Sequence, residues 1–512
     1  MSEVPPAKPR PENAKRAASG AAWITAEMVT IQGTSFLVFA AMAHFISPAD
    51  IGLISICLAI IFISKTLFID NFGYAVIRKA DAAPVEYTTA FWLTILFSIF
   101  GFFVIEAAAG LAQRLFGIAD LALVLREMGV IVLVMGLART HEWWMYRHFE
   151  FRSLAIRGAV GAIVGGAIGL ALAVTGYGAM ALVVQQVVTF TVSLAALWLV
   201  CPWRPTFAIS WTSGREILRF MFHTTPGGII GIINQTCDTM LIAYFFGPAN
   251  TGIYSVGKRL RLSLQLVAGA PINGIIMPTL ADSQRDEERL KHVLLSSTTL
   301  VCAICAPLFI GASAISNDAV PLLFGARWAA AAPVFAWLAI GGLMSVMIGY
   351  NDSIFIIKGK PIWTFYVSMI YTFLAIAGFI IFARLGHSYL AIPFVLPFFV
   401  TLPMSIWLTS LLTNFTFERW LRATIPSLGS AVFMFIAVRL LSGQLEAMAA
   451  ANRLAVLCPF GAVIYISSLA IVGPGTTRAL LRVGRDITRP RSSVLATTGA
   501  HEPPIKRDVD HI

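Results

Sequence analysis

The chain is organised around the stretch Tyr254-Ser-Val-Gly-Lys258-Arg259-Leu-Arg261-Leu-Ser-Leu-Gln265. Its three cations lie near the start of a segment that is otherwise apolar and long enough to cross a membrane. If they stayed in lipid, they would cost on the order of 8–10 kcal/mol, at about 2.5–3.5 kcal/mol for each charge. The helix must therefore face other protein, water or an anionic ligand, which predicts that it lies inside a bundle of helices.

The spacing of the polar residues in this stretch places most of them on one face of the helix. Successive side chains are about 100° apart, so positions i, i+4, i+7 and i+11 form one stripe, with Arg259 to the side. The stripe consists of Tyr254, Lys258, Arg261 and Gln265. It predicts a cationic wall in a central cavity, suited to a phosphate-bearing substrate. Alternatively, Lys258 and Arg259 reach the membrane interface or pair with acids on neighbouring helices.

The composition places the whole chain in a membrane. Of its 512 residues, 58% are hydrophobic and 12% are charged, whereas soluble domains carry about 25% charged residues. The net charge of +11 would indicate nucleic-acid binding in a soluble protein. In a membrane protein it reflects basic cytoplasmic loops, so no nucleic-acid partner is expected. The Cys-x-x-Cys spacing of Cys302 and Cys305 is interpreted as packing, and no metal or cofactor is expected.

Apolar runs of roughly 18–25 residues follow one another, and each is long enough to span the hydrocarbon core. The first is interpreted as an uncleaved helix rather than a signal peptide. The predicted spans are 21–45, 52–77, 87–110, 121–138, 155–175, 179–200, 217–246, 253–279, 293–315, 330–350, 362–383, 388–411, 422–441 and 454–473. The pattern therefore predicts an all-α polytopic membrane protein with about 14 transmembrane helices.

An internal repeat relates two groups of these helices. Phe45-Ile-Ser-Pro48-Ala-Asp-Ile-Gly52-Leu-Ile-Ser55 aligns with Phe245-Phe-Gly-Pro248-Ala-Asn-Thr-Gly252-Ile-Tyr-Ser255, and Phe, Pro, Ala, Gly and Ser coincide. Each copy is the turn between two helices, and the second begins after six helices, so both have the same orientation in the membrane. This predicts two six-helix lobes in a parallel pseudo-twofold repeat, with two C-terminal helices outside it.

The predicted organisation follows from the repeat and from the polar ends of the chain. We expect a disordered cytoplasmic tail (1–18), an N-lobe of six helices (19–202), a C-lobe of six helices (203–412), two further helices (413–475) and a basic cytoplasmic tail (476–512). No segment is large enough for a soluble catalytic domain, so no enzyme is expected.

The distribution of cations predicts the orientation. With the N-terminus inside, about 27 of the 37 Lys and Arg residues lie on the cytoplasmic side and about six on the outer side. This bias predicts that both termini are cytoplasmic. The longest loop is expected at 139–153, where aromatic residues alternate with Arg. Such a segment suits an interfacial anchor or a contact with a lipid-linked substrate.

Two pairs of opposite charges are expected within the spans. A short turn joins the seventh and eighth helices, so Asp238 can reach Lys258 or Arg261. Glu27 and Lys65 lie at a similar depth on the first two helices. Each pair is either structural or a site of coupling to protons or other cations, because protonating the acid would free the cation for substrate.

One match to a nucleotide-binding motif is rejected. Gly252-Ile-Tyr-Ser-Val-Gly257-Lys258-Arg259 approaches the pattern of a phosphate-binding loop. It lacks the Ser or Thr that would bind Mg²⁺, and it follows no strand. Direct use of ATP is therefore not expected.

Several further segments carry a family resemblance. They are Ser19-Gly-Ala-Ala-Trp23, Asp70-Asn-Phe-Gly-Tyr-Ala-Val-Ile-Arg78, Arg147-His-Phe-Glu-Phe-Arg152, Gly176-Tyr-Gly-Ala-Met-Ala-Leu182 and Trp203-Arg-Pro205, together with the repeated turn and residues 254–261 and 271–280. In their order and topology they resemble the polysaccharide transporter family of lipid-linked oligosaccharide flippases. That family shares a superfamily with multidrug and toxin extrusion exporters and with the lipid II flippase.

The resemblance implies two six-helix bundles around a cavity and a substrate of oligosaccharide on undecaprenyl pyrophosphate. In such flippases cationic cavity residues are thought to hold the pyrophosphate. Lys258, Arg259 and Arg261 suit that role here, with Lys65 as a counterpart in the first lobe. Membrane lipids, and a polysaccharide polymerase with its export complex, are the implied partners.

The implied function is therefore export of exopolysaccharide or O-antigen repeat units across the bacterial inner membrane by alternating access. One alternative is an ion-coupled multidrug or metabolite antiporter of the same fold, which would be expected to carry acidic cavity residues. A membrane polymerase or ligase would need large outer loops with catalytic residues, and no such loops are predicted. In a structural scaffold of the polymer assembly complex, the charged residues within the spans would have no function. The basic cluster on the eighth helix favours the flippase.

Overall fold

The computed structural model describes residues 30, 32–77, 79, 83–271, 280, 286–382, 390–413 and 416–478, and all regular structure among them is helical. Residues 1–18 and nearly all of 476–512, predicted as tails, lie outside this part. The helices are α1 (Gln32–Ala43), α2 (Pro48–Phe68), α3 (Asn71–Ile77), α4 (Pro84–Phe116), α5 (Leu121–Arg147), α6 (Phe151–Val174), α7 (Ala179–Val200), α8 (211–246), α9 (248–271), α10 (Glu287–Ala314), α11 (Ser316–Phe324), α12 (Ala331–Ile357), α13 (Ile362–Phe382), α14 (Ile392–Val395), α15 (Phe398–Thr413), α16 (Phe417–Gln444) and α17 (Ala450–Val472).

The helical stretch Trp211–Pro271 is two helices broken at Gly247. Gly247 has φ 77° and ψ −179°, a conformation that glycine adopts far more readily than other residues. Pro248 then opens α9, and proline suits the first turn of a helix because its missing N–H has no partner there in any case. Tyr254 on α9 bonds to Asp238 on α8, so the chain folds back on itself at this break.

Twelve helices in the described residues are long and apolar enough to cross a membrane. One of them is the stretch that Gly247 divides into α8 and α9, and the shorter α1 is the described part of one more. These observations confirm an all-α polytopic membrane protein with about fourteen spans. The last two, α16 and α17, pack against each other and against α10.

The predicted loop at 139–153 is wrong. α5 continues to Arg147 and α6 begins at Phe151, so both flanking helices run through most of that range. Of the aromatic residues that suggested a membrane interface, Trp143 and Phe151 are buried, whereas Tyr146 and Phe149 are exposed. Arg139 and Arg157 consequently lie within helices, where ion pairs rather than headgroups offset their charges.

The two copies of the repeated turn contact each other directly. A Cβ atom on Gly52 would lie 1.8 Å from the carbonyl oxygen of Pro248, and one on Gly252 would lie 1.9 Å from that of Pro48. The contact is reciprocal, as a twofold relation between the copies requires. Only glycine lets two helix backbones approach this closely. We call this end of the bundle, around residues 44–52 and 244–252, the turn end.

A second contact at the turn end joins the segment after α11 to α1. The indole Nε1 of Trp328 donates to the carbonyl oxygen of Ala43 at 2.9 Å, and the ring is fully buried. Phe324 packs edge-on against Phe36 and Phe39, with ring centroids 6.0 and 5.9 Å away. Two sequence-distant parts of the chain therefore meet at the turn end through closely packed, mostly apolar groups.

The opposite end, around residues 69–84 and 201–216, is called the linker end. Here Asn71 Nδ2 donates to Thr225 Oγ1 at 3.0 Å. Lys79 Nζ lies 2.6 Å from a Glu216 oxygen and 2.5 Å from a Glu86 oxygen. The first half of α8 thus packs on α3 and α4, while its second half packs on α9. The predicted lobe boundary at 202/203 stays a prediction.

Candidate functional site

The polar stripe on α9 faces the interior of the second half of the chain. The buried Tyr254 donates its hydroxyl proton to Asp238 Oδ2 at 2.8 Å. Lys258 Nζ donates to Asp238 Oδ1 at 2.7 Å, and Arg261 Nη1 donates to Gln265 Oε1 at 3.0 Å. The helical spacing therefore aligns these side chains as expected. Tyr254 and Lys258 contact Asp238, whereas Arg261 lines a cavity.

Asp238 is the centre of this group. Its side chain is 5% exposed, and its Oδ1 also accepts from the Thr239 amide at 2.6 Å. Lys258 donates further to the carbonyl oxygen of Gln235 at 2.7 Å. Lys258 thus pairs with an acid on a neighbouring helix, which is one of the alternatives that the sequence left open. Both buried charges are offset, as burial in a membrane protein requires.

Arg259 leaves the stripe and reaches the first half of the chain. Its Nη2 donates to the carbonyl oxygen of Ser35 on α1 at 2.7 Å, and its guanidinium carbon lies 4.3 Å from the centroid of the Phe39 ring. Arg259 and Arg261 are two positions apart, or about 200° around a helix. α9 consequently directs one arginine to each side.

A cavity of about 270 Å³ lies on the Arg261 side; we call it the second-lobe cavity. Its polar lining residues are Asn234, Arg261, Ser345, Asp352, Ser368 and Thr401. The Arg261 guanidinium lies 4.8 Å from the centroid of the Phe394 ring. A Cβ on Gly342 would lie 3.0 Å from Arg261 Cγ, so the glycine makes room for the arginine.

A cavity of about 290 Å³ lies on the other side, between α1, α2, α5, α6 and α7; we call it the first-lobe cavity. A chain of alternating charges runs along it. Asp70 Oδ2 accepts a hydrogen bond from Lys65 at 2.9 Å, and Asp70 Oδ1 forms an ion pair with Arg139 Nη2 at 2.9 Å. Glu142 accepts from Arg139 at 2.7 Å and from Arg157 at 2.7 Å. These five residues comprise three cations and two carboxylates, so together they carry one positive charge.

Arg259 borders the first-lobe cavity. Ser35, whose carbonyl oxygen it contacts, lines that cavity. A smaller cavity of about 50 Å³ is lined by Arg259 together with Gln185 and Gln186, and Gln186 also lines the larger one. Lys65 therefore lines the first-lobe cavity and Arg259 borders it, whereas Arg261 lines the second-lobe cavity.

Of the second predicted ion pair, between Glu27 and Lys65, the structure describes only Lys65. Lys65 pairs with Asp70, and its predicted partner Glu27 lies outside the described residues. Among the described residues, no group of three or more His, Cys, Asp or Glu side chains is placed to bind a metal ion.

Sequence reasoning missed five charged residues that line or border these cavities: Asp70, Arg139, Glu142, Arg157 and Asp352. Arg139 and Glu142 were assigned to the loop predicted at 139–153, whereas Asp70 and Arg157 lie near the ends of the predicted spans 52–77 and 155–175. A lone carboxylate within an apolar run is a functional signal in membrane proteins, and Asp352 in α12 met that criterion.

Comparison with known proteins agrees with this architecture. The chain is 25% identical over 498 residues to the succinoglycan biosynthesis transport protein ExoT of Rhizobium meliloti (strain 1021), an alignment that covers 96% of this chain and 99% of the relative. The fold is similar to that of the lipid II flippase MurJ in an inward closed conformation. There the TM-score is 0.71 at 12% identity, over 91% of this chain and 99% of that chain.

A second fold likeness extends to drug exporters. The inward-facing conformation of a multidrug resistance MATE family transporter of the MOP superfamily matches with a TM-score of 0.58 at 13% identity, over 78% of this chain and 98% of that chain. Both likenesses show a two-lobe helical transporter fold. The family model described as polysaccharide biosynthesis protein matches residues 41–333, more than half of the chain, so this chain belongs to that family.

Proposed function

We propose that this protein is a flippase that moves undecaprenyl-pyrophosphate-linked oligosaccharide repeat units of exopolysaccharide or O-antigen across the bacterial inner membrane by alternating access. Its family membership and its relative ExoT, named as a succinoglycan transport protein, support a saccharide cargo. The observation that carries the proposal is the position of α9. This helix presents Arg259 to one lobe and Arg261 to the other, so one headgroup between the lobes meets both.

The physical chemistry of the substrate explains the charges. A sugar headgroup with a pyrophosphate cannot cross hydrocarbon unaided, because each ionised group loses its hydration there. Arg259, Lys65 and the two arginines of the first-lobe cavity are placed to hold the pyrophosphate. The Nε atoms of Arg139 and Arg157 are buried without a hydrogen-bond partner among the described residues, so they remain available as donors to an anion.

The orientation in the membrane follows from the cation bias of the sequence. In the proposed arrangement both termini are cytoplasmic, the linker end faces the cytoplasm and the turn end faces outward. The pair of Asp238 and Lys258 is the proposed coupling site, because protonating the carboxylate would release the ammonium group. A polysaccharide polymerase and its export complex are the proposed downstream partners.

The antiporter alternative of the same fold receives less support from the cavities. A binding site for cationic drugs needs an excess of acidic residues. The charge chain of the first-lobe cavity instead has three cations and two carboxylates, and Arg259 borders the same space.

Transbilayer movement of a pyrophosphate-linked oligosaccharide in proteoliposomes tests the proposal, with wild type beside Arg259→Ala, Lys258→Ala and Arg261→Ala. Wild type is expected to move the lipid. Arg259→Ala is expected to reduce the rate about tenfold or more, because a hydrogen bond to a charged group contributes about 1.5–3 kcal/mol and 1.36 kcal/mol is a factor of ten. Arg422→Ala is a matched control, since its ion pair with Glu418 lies exposed on α16.

Each result has a distinct meaning. If Arg259→Ala moves the lipid as fast as wild type, the flippase stands and the assignment of its pyrophosphate site falls. If wild type moves no lipid-linked glycan under any ion gradient but exchanges a small organic cation, the antiporter replaces the flippase.

A further inference from the structure

We infer that the second-lobe cavity is a saccharide subsite, in which Arg261 and Asp352 bind the hydroxyl groups of one sugar ring and an aromatic wall packs on its apolar face. The inference rests on the proposed function, and it assigns Arg261 to the sugar rather than to the pyrophosphate. The cavity of about 270 Å³ is slightly smaller than the pockets of about 300–1,000 Å³ that hold drug-sized ligands. It therefore fits one ring rather than a whole repeat unit.

One wall of the cavity is aromatic. Tyr371, Phe394 and Phe398 come from α13, α14 and α15, and their rings pack on one another. The centroids of Tyr371 and Phe398 are 4.8 Å apart, and those of Phe394 and Phe398 are 5.5 Å apart. Such a wall offers a large apolar surface at little cost in conformational entropy. The C–H face of a pyranose ring is the part of a sugar that suits it.

The other walls carry two buried charged atoms without a partner. Among the described residues, Arg261 Nε and Asp352 Oδ1 are buried and make no hydrogen bond of good geometry, and the Thr364 hydroxyl, which lies beside the Asp352 carboxyl, is likewise unpaired. Both residues line the same cavity. Because buried polar groups are nearly always hydrogen-bonded, two such atoms at one cavity indicate a missing ligand.

The opposite charges of Arg261 and Asp352 indicate which kind of ligand the cavity binds. Arg261 Nε can only donate a hydrogen bond, and an ionised Asp352 carboxylate can only accept one. A phosphate would satisfy the arginine but would be repelled by the carboxylate, and an ammonium group would do the reverse. A hydroxyl group both donates and accepts, so adjacent hydroxyls on a neutral sugar satisfy both residues.

Neighbouring contacts hold the polar wall in place. The Thr372 hydroxyl donates to Asn234 Oδ1, which fixes the orientation of the amide of another lining residue. Arg261 Nη1 donates a hydrogen bond to Gln265 Oε1 at 3.0 Å, which holds the guanidinium group in place. The chemistry of the headgroup also matches this layout. The first sugar is bonded directly to the pyrophosphate, so a headgroup whose phosphates are bound at Arg259 leaves its sugars to be bound by other residues between the lobes.

The test compares the binding of two lipids to the purified full-length protein: undecaprenyl pyrophosphate alone, and the same lipid bearing an oligosaccharide. Asp352→Ala is expected to raise the Kd for the sugar-bearing lipid about tenfold and to leave the Kd for the sugar-free lipid within about twofold. Ser353→Ala is the matched control. It lies next to Asp352 on α12, its hydroxyl bonds to the Gly349 carbonyl of its own helix, and it does not line the cavity.

A second variant, Tyr371→Leu, keeps an apolar side chain but removes an aromatic face. It is expected to raise the Kd for the sugar-bearing lipid about threefold to tenfold, and it carries the test if Asp352→Ala does not fold. Equal weakening of both lipids, or of neither, by correctly folded variants overturns the saccharide subsite. If wild type binds neither lipid, the proposed function itself has failed, which is a different outcome.

Discussion

The two ends of the bundle are closed by different kinds of contact. At the turn end, Gly52 and Gly252 bring two helix backbones together, and the buried Trp328 fills the space beside α1. At the linker end, Asn71 and Lys79 reach across to α8 with polar side chains. The turn end depends on shape and close packing. The linker end adds hydrogen bonds and ion pairs to a buried apolar cluster, in which Ile217 and Met221 of α8 pack with Phe72 and Val76 of α3.

This difference in contacts indicates how each end can open. A packed backbone contact loses about a quarter to a half of its dispersion attraction once the surfaces separate by about 0.5–1 Å. Long, partly exposed side chains can exchange their partner for water at little cost. We therefore expect the turn end to switch between two discrete states. The exposed ion pairs of the linker end should in addition make its opening sensitive to salt.

The largest expected effect is at Trp328, which closes the turn end. Trp328→Ala removes a fully buried ring and its bond to Ala43, and such changes cost about 3–5 kcal/mol. Trp328→Phe keeps one aromatic ring but loses the pyrrole part of the indole and the hydrogen bond, so its cost should be smaller, about 1–3 kcal/mol. Thermal unfolding in detergent measures both. Equal stability of the two variants would contradict the importance of packing at this end.

The next effect concerns the reciprocal glycines. Gly52→Leu places a side chain where Pro248 already lies, and overpacking of this kind costs about 1–3 kcal/mol. The closed turn end should therefore lose about tenfold or more in population relative to the open one. Thiol labelling of Ser55→Cys in a Cys458→Ser background reports access from the turn end, and labelling should become faster.

Gly110→Leu provides the control for that experiment. A Cβ at Gly110 meets no atom within 4 Å, so the same change of residue adds bulk without a clash. Its labelling rate should match that of the unsubstituted background. Unchanged labelling of both variants would mean that the glycine contact does not hold the turn end closed.

The smallest expected effect is at the linker end. Lys79→Met removes the ion pairs with Glu216 and Glu86, and the side chains of Lys79 and Glu216 are 29% and 48% exposed. Exposed pairs of this kind contribute about 0.2–1 kcal/mol and are screened by salt. In Lys79→Met, the labelling rate of a cysteine introduced at the linker end should rise at most a few-fold. High salt should produce the same rise in the protein that keeps Lys79. Lys291→Met, which removes a pair within one helix, should change nothing there.

The pH dependence of the same contact has a definite sign. Hydrogen bonds from Lys79 to Glu216 and Glu86 raise the pKa of Lys79 above its ordinary value of 10.5. A raised pKa in the folded state stabilises the contact fully below pH 10.5 and loses that stabilisation as the pH rises through the folded value. Linker-end labelling should therefore not change through Lys79 between about pH 7 and 10. A rise already at pH 8–9 that Lys79→Met abolishes would contradict this assignment.

The fold could be predicted largely from the sequence, and the site only in part. Asp238 and Lys258 lie on helices joined by one short turn, so their contact followed from local geometry. The chain of Lys65, Asp70, Arg139, Glu142 and Arg157 joins residues from several helices and their connections. No spacing rule connects residues so far apart, and the loop predicted at 139–153 concealed two of them, Arg139 and Glu142.

The sequence by itself determined the membrane class, the approximate number of spans and the repeat. Long apolar runs have only one stable arrangement in lipid, because helices satisfy every backbone hydrogen bond within the segment. Only the tertiary structure decided where the charges go. The stripe on α9 placed Lys258 and Arg261 on one face. In the structure, however, Lys258 pairs with Asp238, whereas Arg261 lines the second-lobe cavity. The surroundings of a buried charge depend on which helices pack against it, and that choice is made by contacts across the whole bundle.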